Sequence, residues 1–181
     1  MTDHPLCTDP TAPVEVTRYV RSDASPPSRR RIESVRRRLD ALSETRLVDA
    51  TRTEPWPPRR HAVDPGGDAE TCNELVDRLE RWADDAGYSL QPAIRRHTPR
   101  SLLDEEPSAA GVCVPVMLLT FERVGPDASG LAGVAPYTVP ADDGAATTYT
   151  VAGWLAAAER AVGASEDARG RKRVRPRSNR V

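Results

Sequence analysis

The apolar positions of this chain follow two rhythms, and the changes of rhythm mark its elements. Residues 14–20, VEVTRYV, alternate: Val14, Val16, Arg18 and Val20 fall on one side, Glu15, Thr17 and Tyr19 on the other. Alternation of this kind predicts a short strand. From 28 to 44 the step lengthens. Ile32, Val35, Leu39 and Leu42 follow at intervals of 3, 4 and 3, the single stripe of a helix. Residues 46–53, RLVDATRT, predict a second strand, and the EPWPPRR after it is rigid and extended, with Trp56 pinning that loop to the core. A second helix is expected over about 70–86. Thr71 and Glu74 fit a capping box, Gly87 fits the stop, and Leu75, Leu79, Trp82 and Ala86 form the inward face.

Beyond it, residues 88–98 predict a strand that Pro92 confines to an edge, and 99–110 read as loop. The strongest apolar run, GVCVPVMLLTFERVG at 111–125, predicts a central strand covered on both faces. LAGVAPYTV at 131–139 predicts its antiparallel partner, and TVAGWLAAAERAV at 150–162 a closing helix. The order implies an α/β layered domain, with a mixed central sheet of about four to five strands flanked by three helices. Residues 1–13, with three prolines and no apolar pattern, read as a disordered lead. Residues 14–162 form one domain with an insertion at about 88–111, and 163–181 form a disordered basic tail.

A chain of 181 residues holds one core, and with 4% aromatics and a single Phe that core is lean and aliphatic. No apolar run reaches the ~18 residues of a membrane span, and no signal peptide opens the chain, so the expected location is the cytoplasm. The net charge of −1 hides a division. Residues 169–181 carry six Arg and Lys172, the chain's one lysine, and no acid. Without those seven cations, 19 basic face 27 acidic residues, and the body carries −8. Such a tail, with Arg171, Lys172, Arg173, Arg175 and Arg177, predicts nonspecific, salt-sensitive contact with nucleic acid. Cys7, Cys72 and Cys113 stand far apart, and His4, His61 and His97 have no ligand spacing. Neither a disulfide framework nor a metal centre is expected, and no sequence feature calls for a cofactor.

The stretch with site-like character is Ser25-Pro26-Pro27-Ser28. Locally it makes a good helix start, with Ser25 placed to cap, Pro26 at the first helical position and Ser28 in the first turn. Arg29, Arg30, Arg36 and Arg37 lie largely off the apolar stripe that follows. They read as a solvated face with packed stems, or else as nucleic-acid contacts. No base stands near Ser25 in sequence, and there is no nucleophile elbow and no phosphate-cradling glycine loop. Cys113 reads as a small core residue of a Val-rich strand, and Pro115 as the proline that starts it.

The order of elements resembles the thioredoxin-like fold, over about residues 14–162. In the glutaredoxin branch a strand with an aromatic near its end leads into C-P-x-C at the start of the first helix. The matching positions here are Tyr19 and then Ser25, Pro26, Pro27 and Ser28. In that branch a T-V-P motif places a cis-proline before the central strand, and Cys113-Val114-Pro115 occupies the place here. The resemblance implies a degenerate redox site, since serine supplies no thiolate. The whole chain is also similar to a family of small haloarchaeal proteins catalogued as helix-turn-helix domain proteins. The likeness rests on V-T-x-Y-V-R-S (Val16 to Ser22), RWADDAGYSLQP (Arg81 to Pro92), VPVMLL (Val114 to Leu119) and V-A-P (Val134 to Pro136). A helix-turn-helix joins its helices by a 3–4-residue turn, whereas the expected helices here are separated by a strand. The function expected is that of a non-catalytic binding or regulatory domain with a protein partner. The alternatives are a DNA-binding regulator using the Arg-rich helix and tail, and an enzyme with an unrecognised site.

Overall fold

The computed structural model describes residues 14–45, 47–58, 70–97, 111–124, 130–141 and 144–173, with side chains as far as residue 164. Strand β1 (Val14–Val20) leads into helix α1 (Pro26–Ser43), and the chain returns as β2 (Val48–Pro55), parallel to β1. Helix α2 (Cys72–Asp85) follows, then the short pair β3 (Arg95–His97) and β4 (Gly111–Cys113). Strands β5 (Met117–Arg123) and β6 (Leu131–Ala135) come next, then the hairpin of β7 (Tyr137–Pro140) and β8 (Ala146–Tyr149), and last helix α3 (Val151–Arg173). The main sheet has the order β2-β1-β5-β6, and β5 is antiparallel to both of its neighbours. The fold is therefore mixed α/β, a four-stranded mixed sheet with three helices.

Alternation along the strands divides the core in two. Val16, Leu119, Phe121 and Ala135 face α1 and α3, meeting Val35, Leu39, Leu42, Trp154, Leu155 and Ala158. Leu118 and Val134 face the other way, onto Leu75, Val76, Leu79 and Ala83 of α2. The β3–β4 pair and the β7–β8 hairpin extend this second layer through Ile94, Val112 and Tyr137. Backbone bonds between Ser89 and Thr138, at 2.8 and 2.7 Å, join the segment after α2 to β7.

The helix ends follow from local chemistry. Thr71 accepts from the Glu74 N–H while the Glu74 carboxylate accepts from the Thr71 N–H, the reciprocal box expected of that spacing. At the other end of α2, Gly87 takes φ +70°, Gly87 N–H bonds Asp84 O and Tyr88 N–H bonds Ala83 O. That pair of bonds is a Schellman stop, and it needs a residue tolerant of the left-handed conformation. Helix α1 starts two residues earlier than its apolar stripe indicates, because Pro26 and Pro27 occupy its first two positions. They carry no N–H to be capped. Ser25 is the N-cap, but its side chain makes no cap bond.

Four expectations change. Of the strand expected over 88–98, only the short β3 forms. The 111–125 run is not one strand: it breaks at Val114–Val116 around Pro115, with β4 in the small sheet and β5 in the main one. The 131–139 run breaks likewise at Pro136, so only β6 pairs with β5. A proline gives no N–H to a ladder, so a continuous apolar run hides a change of sheet at that point. Finally, α3 runs to Arg173, eleven residues past the end that its apolar face predicts. Its extension, GASEDARGRKR, is built largely of good helix formers. Arg171, Lys172 and Arg173 thus belong to a helix and not to an irregular tail. The predicted lead at 1–13 and the remainder of the tail, with Arg175 and Arg177, lie outside the described residues.

Arg18 sits on the α1 side of β1 and is 4% exposed. Its Nη2 donates to Thr53 Oγ1 on the neighbouring β2, while its Nε has no partner. Burial lowers its pKa, opposed by Asp40 and Glu33 on α1, neither of which reaches ion-pair distance. A buried charge tied mainly to a hydroxyl leaves little margin. Thr53→Val is expected to cost about 1–3 kcal/mol, by removing the guanidinium's side-chain acceptor among the described residues. Arg18→Met removes the charge together with its need and is expected to cost less than Thr53→Val. Urea denaturation of both variants checks the order, and a greater loss for Arg18→Met would refute it.

Candidate functional site

The N-termini of α1 and α3 come together beside the start of β5, and a groove of about 650 Å³ opens there. Its floor is apolar, with Ile32 and Val35 from α1, Val116 and Met117 at β5, Pro136 after β6 and Val151 from α3. Its polar groups are Ser28, Arg31, Ser34, Arg38 and Thr150. Arg38 is committed: it donates to both carboxylate oxygens of Glu159 on α3, at 2.7 and 2.8 Å, and this bond holds the Glu159 carboxyl below the usual range. Thr150 caps α3 by accepting from Gly153 N–H at 3.1 Å.

Of the SPPS stretch, Ser28 reaches this groove. Ser28 lines it, and the Ser25 and Ser28 hydroxyl oxygens lie 3.0 Å apart in a mutual hydrogen bond. That bond takes the place of the cap that Ser25 is positioned to make. Asp23 is also engaged, since Arg21 donates to both of its oxygens. The bond lowers the Asp23 carboxyl and raises the Arg21 guanidinium. Among the described residues no histidine or carboxylate lines the groove, so Ser28 meets no base there.

Cys113 and Pro115 are placed differently from expectation. Cys113 is exposed and lies outside the groove lining, because Val112 is the β4 residue that turns inward and its neighbour must turn out. Pro115 contacts the site only indirectly: its carbonyl accepts from Trp56 Nε1 at 3.1 Å, and the next carbonyl, that of Val116, accepts from Arg21 N–H at 3.0 Å. Tyr19 packs on Trp56 with ring centroids 5.5 Å apart. Trp56 therefore pins the 114–116 loop beside the end of β1, and Val116 is delivered to the groove. The cis peptide bonds among the described residues precede Pro92 and Pro136, not Pro115, and Pro136 is the proline that lines the groove together with Ser28.

The arginines of α1 do not act as one patch. Arg36 is held between Glu33 at 2.6 Å and Asp40 at 3.0 Å. Arg29 donates to Ala24 O at 2.9 Å. Arg30 and Arg37 are exposed and make no ion pair among the described residues, and they stand seven apart, on one side of the helix. Arg31 is likewise unpaired and turns toward the groove. Sequence reading passes over Arg31, although its place three residues after Ser28 and four before Val35 puts it on their side of the helix. Among the described residues no helix is long and apolar enough to cross a membrane.

These elements define an α/β domain whose helices are separated by strands: β2 lies between α1 and α2, and six strands lie between α2 and α3. The helix-turn-helix domain family matches residues 8–163, and the chain belongs to that family. No curated protein and no solved structure matches it. The two-helix unit with a 3–4-residue turn, from which such motifs take their name, is not found among the described residues.

Proposed function

We propose that this chain is a non-catalytic binding or regulatory domain on a thioredoxin-like scaffold, working in the cytoplasm. The observation that carries the reading is the Ser25–Ser28 hydroxyl pair, 3.0 Å apart at the head of α1, with Ser28 lining an apolar groove. Support for the scaffold comes from the sheet order β2-β1-β5-β6, with β1 and β2 parallel, α1 and α3 on one face and α2 on the other. A thiol at a helix N-terminus becomes a thiolate near neutral pH, whereas a hydroxyl there stays protonated without a base. The place is shaped for a partner and lacks the group that would react with one. Purified protein is expected to show no catalytic reduction of insulin, and a Cys113→Ser variant controls for stoichiometric reaction of that exposed thiol. Catalytic turnover that survives Cys113→Ser would overturn the reading.

A second reading, a DNA-binding regulator, is favoured by the family match and by Arg30 and Arg37. Both point to solvent from a helix with one side free, and unpaired guanidiniums suit phosphate contact. Arg36 contributes less, being shared between two carboxylates. If α1 meets DNA, the double change Arg30→Glu, Arg37→Glu weakens duplex binding at fixed salt and lowers the salt slope by about 2. An unchanged anisotropy titration removes α1 from any DNA interface, while loss on deleting 169–181 alone assigns the contact to the basic C-terminal residues.

A further inference from the structure

We infer that the groove between the N-termini of α1 and α3 docks an extended acidic–apolar segment of a partner protein. The inference rests on the binding-domain reading and names the partner's chemistry. The floor is made for aliphatic side chains, and Val116 is one of two large apolar residues left exposed among the described residues. Solvent contact there is unfavourable and is relieved when the floor is covered.

The charge of the rim selects the partner. Arg31 is the one lining cation without an ion pair among the described residues, since Arg38 is spent on Glu159. Among the described residues no acidic side chain lines the groove. Both adjoining helices present their N-terminal ends, where the dipole is positive and first-turn N–H groups have no carbonyl within their own helix. On α1 the two prolines leave Ser28 as the first N–H donor of the helix. On α3 the Gly153 N–H is taken by Thr150, which leaves the donors of Val151 and Ala152. A carboxylate beside Arg31, next to aliphatic side chains on the floor, satisfies both features. Nucleic acid matches the charge alone.

The test uses three synthetic peptides, EDLVLDE, the charge-reversed KKLVLKK and the apolar-free EDGSGDE, titrated into the ¹⁵N-labelled full chain. EDLVLDE is expected to shift the amide signals of Val116, Met117 and Val151. Arg31→Glu is expected to weaken it at least about tenfold, the loss of one charge-assisted contact. Arg31 is exposed, so that variant keeps its fold, and Val116→Asp provides an independent check from the floor. If KKLVLKK moves those signals and EDLVLDE does not, the acidic partner is wrong while a docking groove stands. If EDGSGDE or duplex DNA binds there as tightly as EDLVLDE, the apolar part is wrong. If no peptide at about 1 mM, the weak end of specific association, moves a groove signal, the docking proposal falls. The binding-domain reading is decided separately by insulin turnover.

Discussion

Leu118, Leu119 and Phe121 stand within four residues of β5, are at most 3% exposed, and point to opposite faces of one strand. A strand in that position needs a neighbour on each edge and a layer over each face. β1 and β6 supply the neighbours, α1 with α3 one layer, and α2 the other. Each leucine or phenylalanine so buried contributes roughly 1.5–3 kcal/mol, more than any exposed ion pair on the helices returns. The positions of both helix N-termini, and so of the groove, are consequences of covering that strand.

The edges of β5 and β6 are set by prolines. Pro115 ends pairing in the small sheet just before β5 begins, and Pro136 ends β6 just before the β7–β8 hairpin turns away. Each break leaves a short length of apolar chain at the same end of the sheet, the exposed Val116 in one case and the half-buried Pro136 in the other. α1 and α3 both begin at that end, so the groove gains two helix N-termini and an apolar floor together. Trp56 holds the Val116 side through its bond to Pro115 O, and Arg38 with Glu159 holds the two helices.

Much of this was legible in the chain. The 3-4-3 stripe of α1, the capping box of α2 and the alternation that put Arg18 inward are local patterns, and each survives in the fold. The two long apolar runs were not legible as pairs of strands, because hydrophobicity is continuous across a proline while pairing is not. β8, Ala146–Tyr149, has the threonines and tyrosine of a strand but no apolar alternation, and it is mostly exposed. The groove joins Ser28 to residues more than a hundred positions away, Pro136 and Thr150, and no local pattern encodes that meeting. Arg31 was concealed among arginines of equal composition, and only its azimuth and the commitment of Arg36 and Arg38 to carboxylates set it apart. The helix-turn-helix family name adds a prior for nucleic acid, yet the separation of the helices by strands is already visible in the spacing of their stripes.

The proposal that Ser25 and Ser28 stand where a thioredoxin-like scaffold carries its two cysteines makes a direct demand on their geometry. The most direct measurement is the mass of a Ser25→Cys, Ser28→Cys variant in a Cys113→Ser background after mild air oxidation. With hydroxyls 3.0 Å apart at the head of α1, the account predicts an intramolecular disulfide. It appears as a loss of two hydrogens, with neither new thiol open to alkylation until reductant is added. Two thiols that both alkylate freely after oxidation in the folded protein would contradict it.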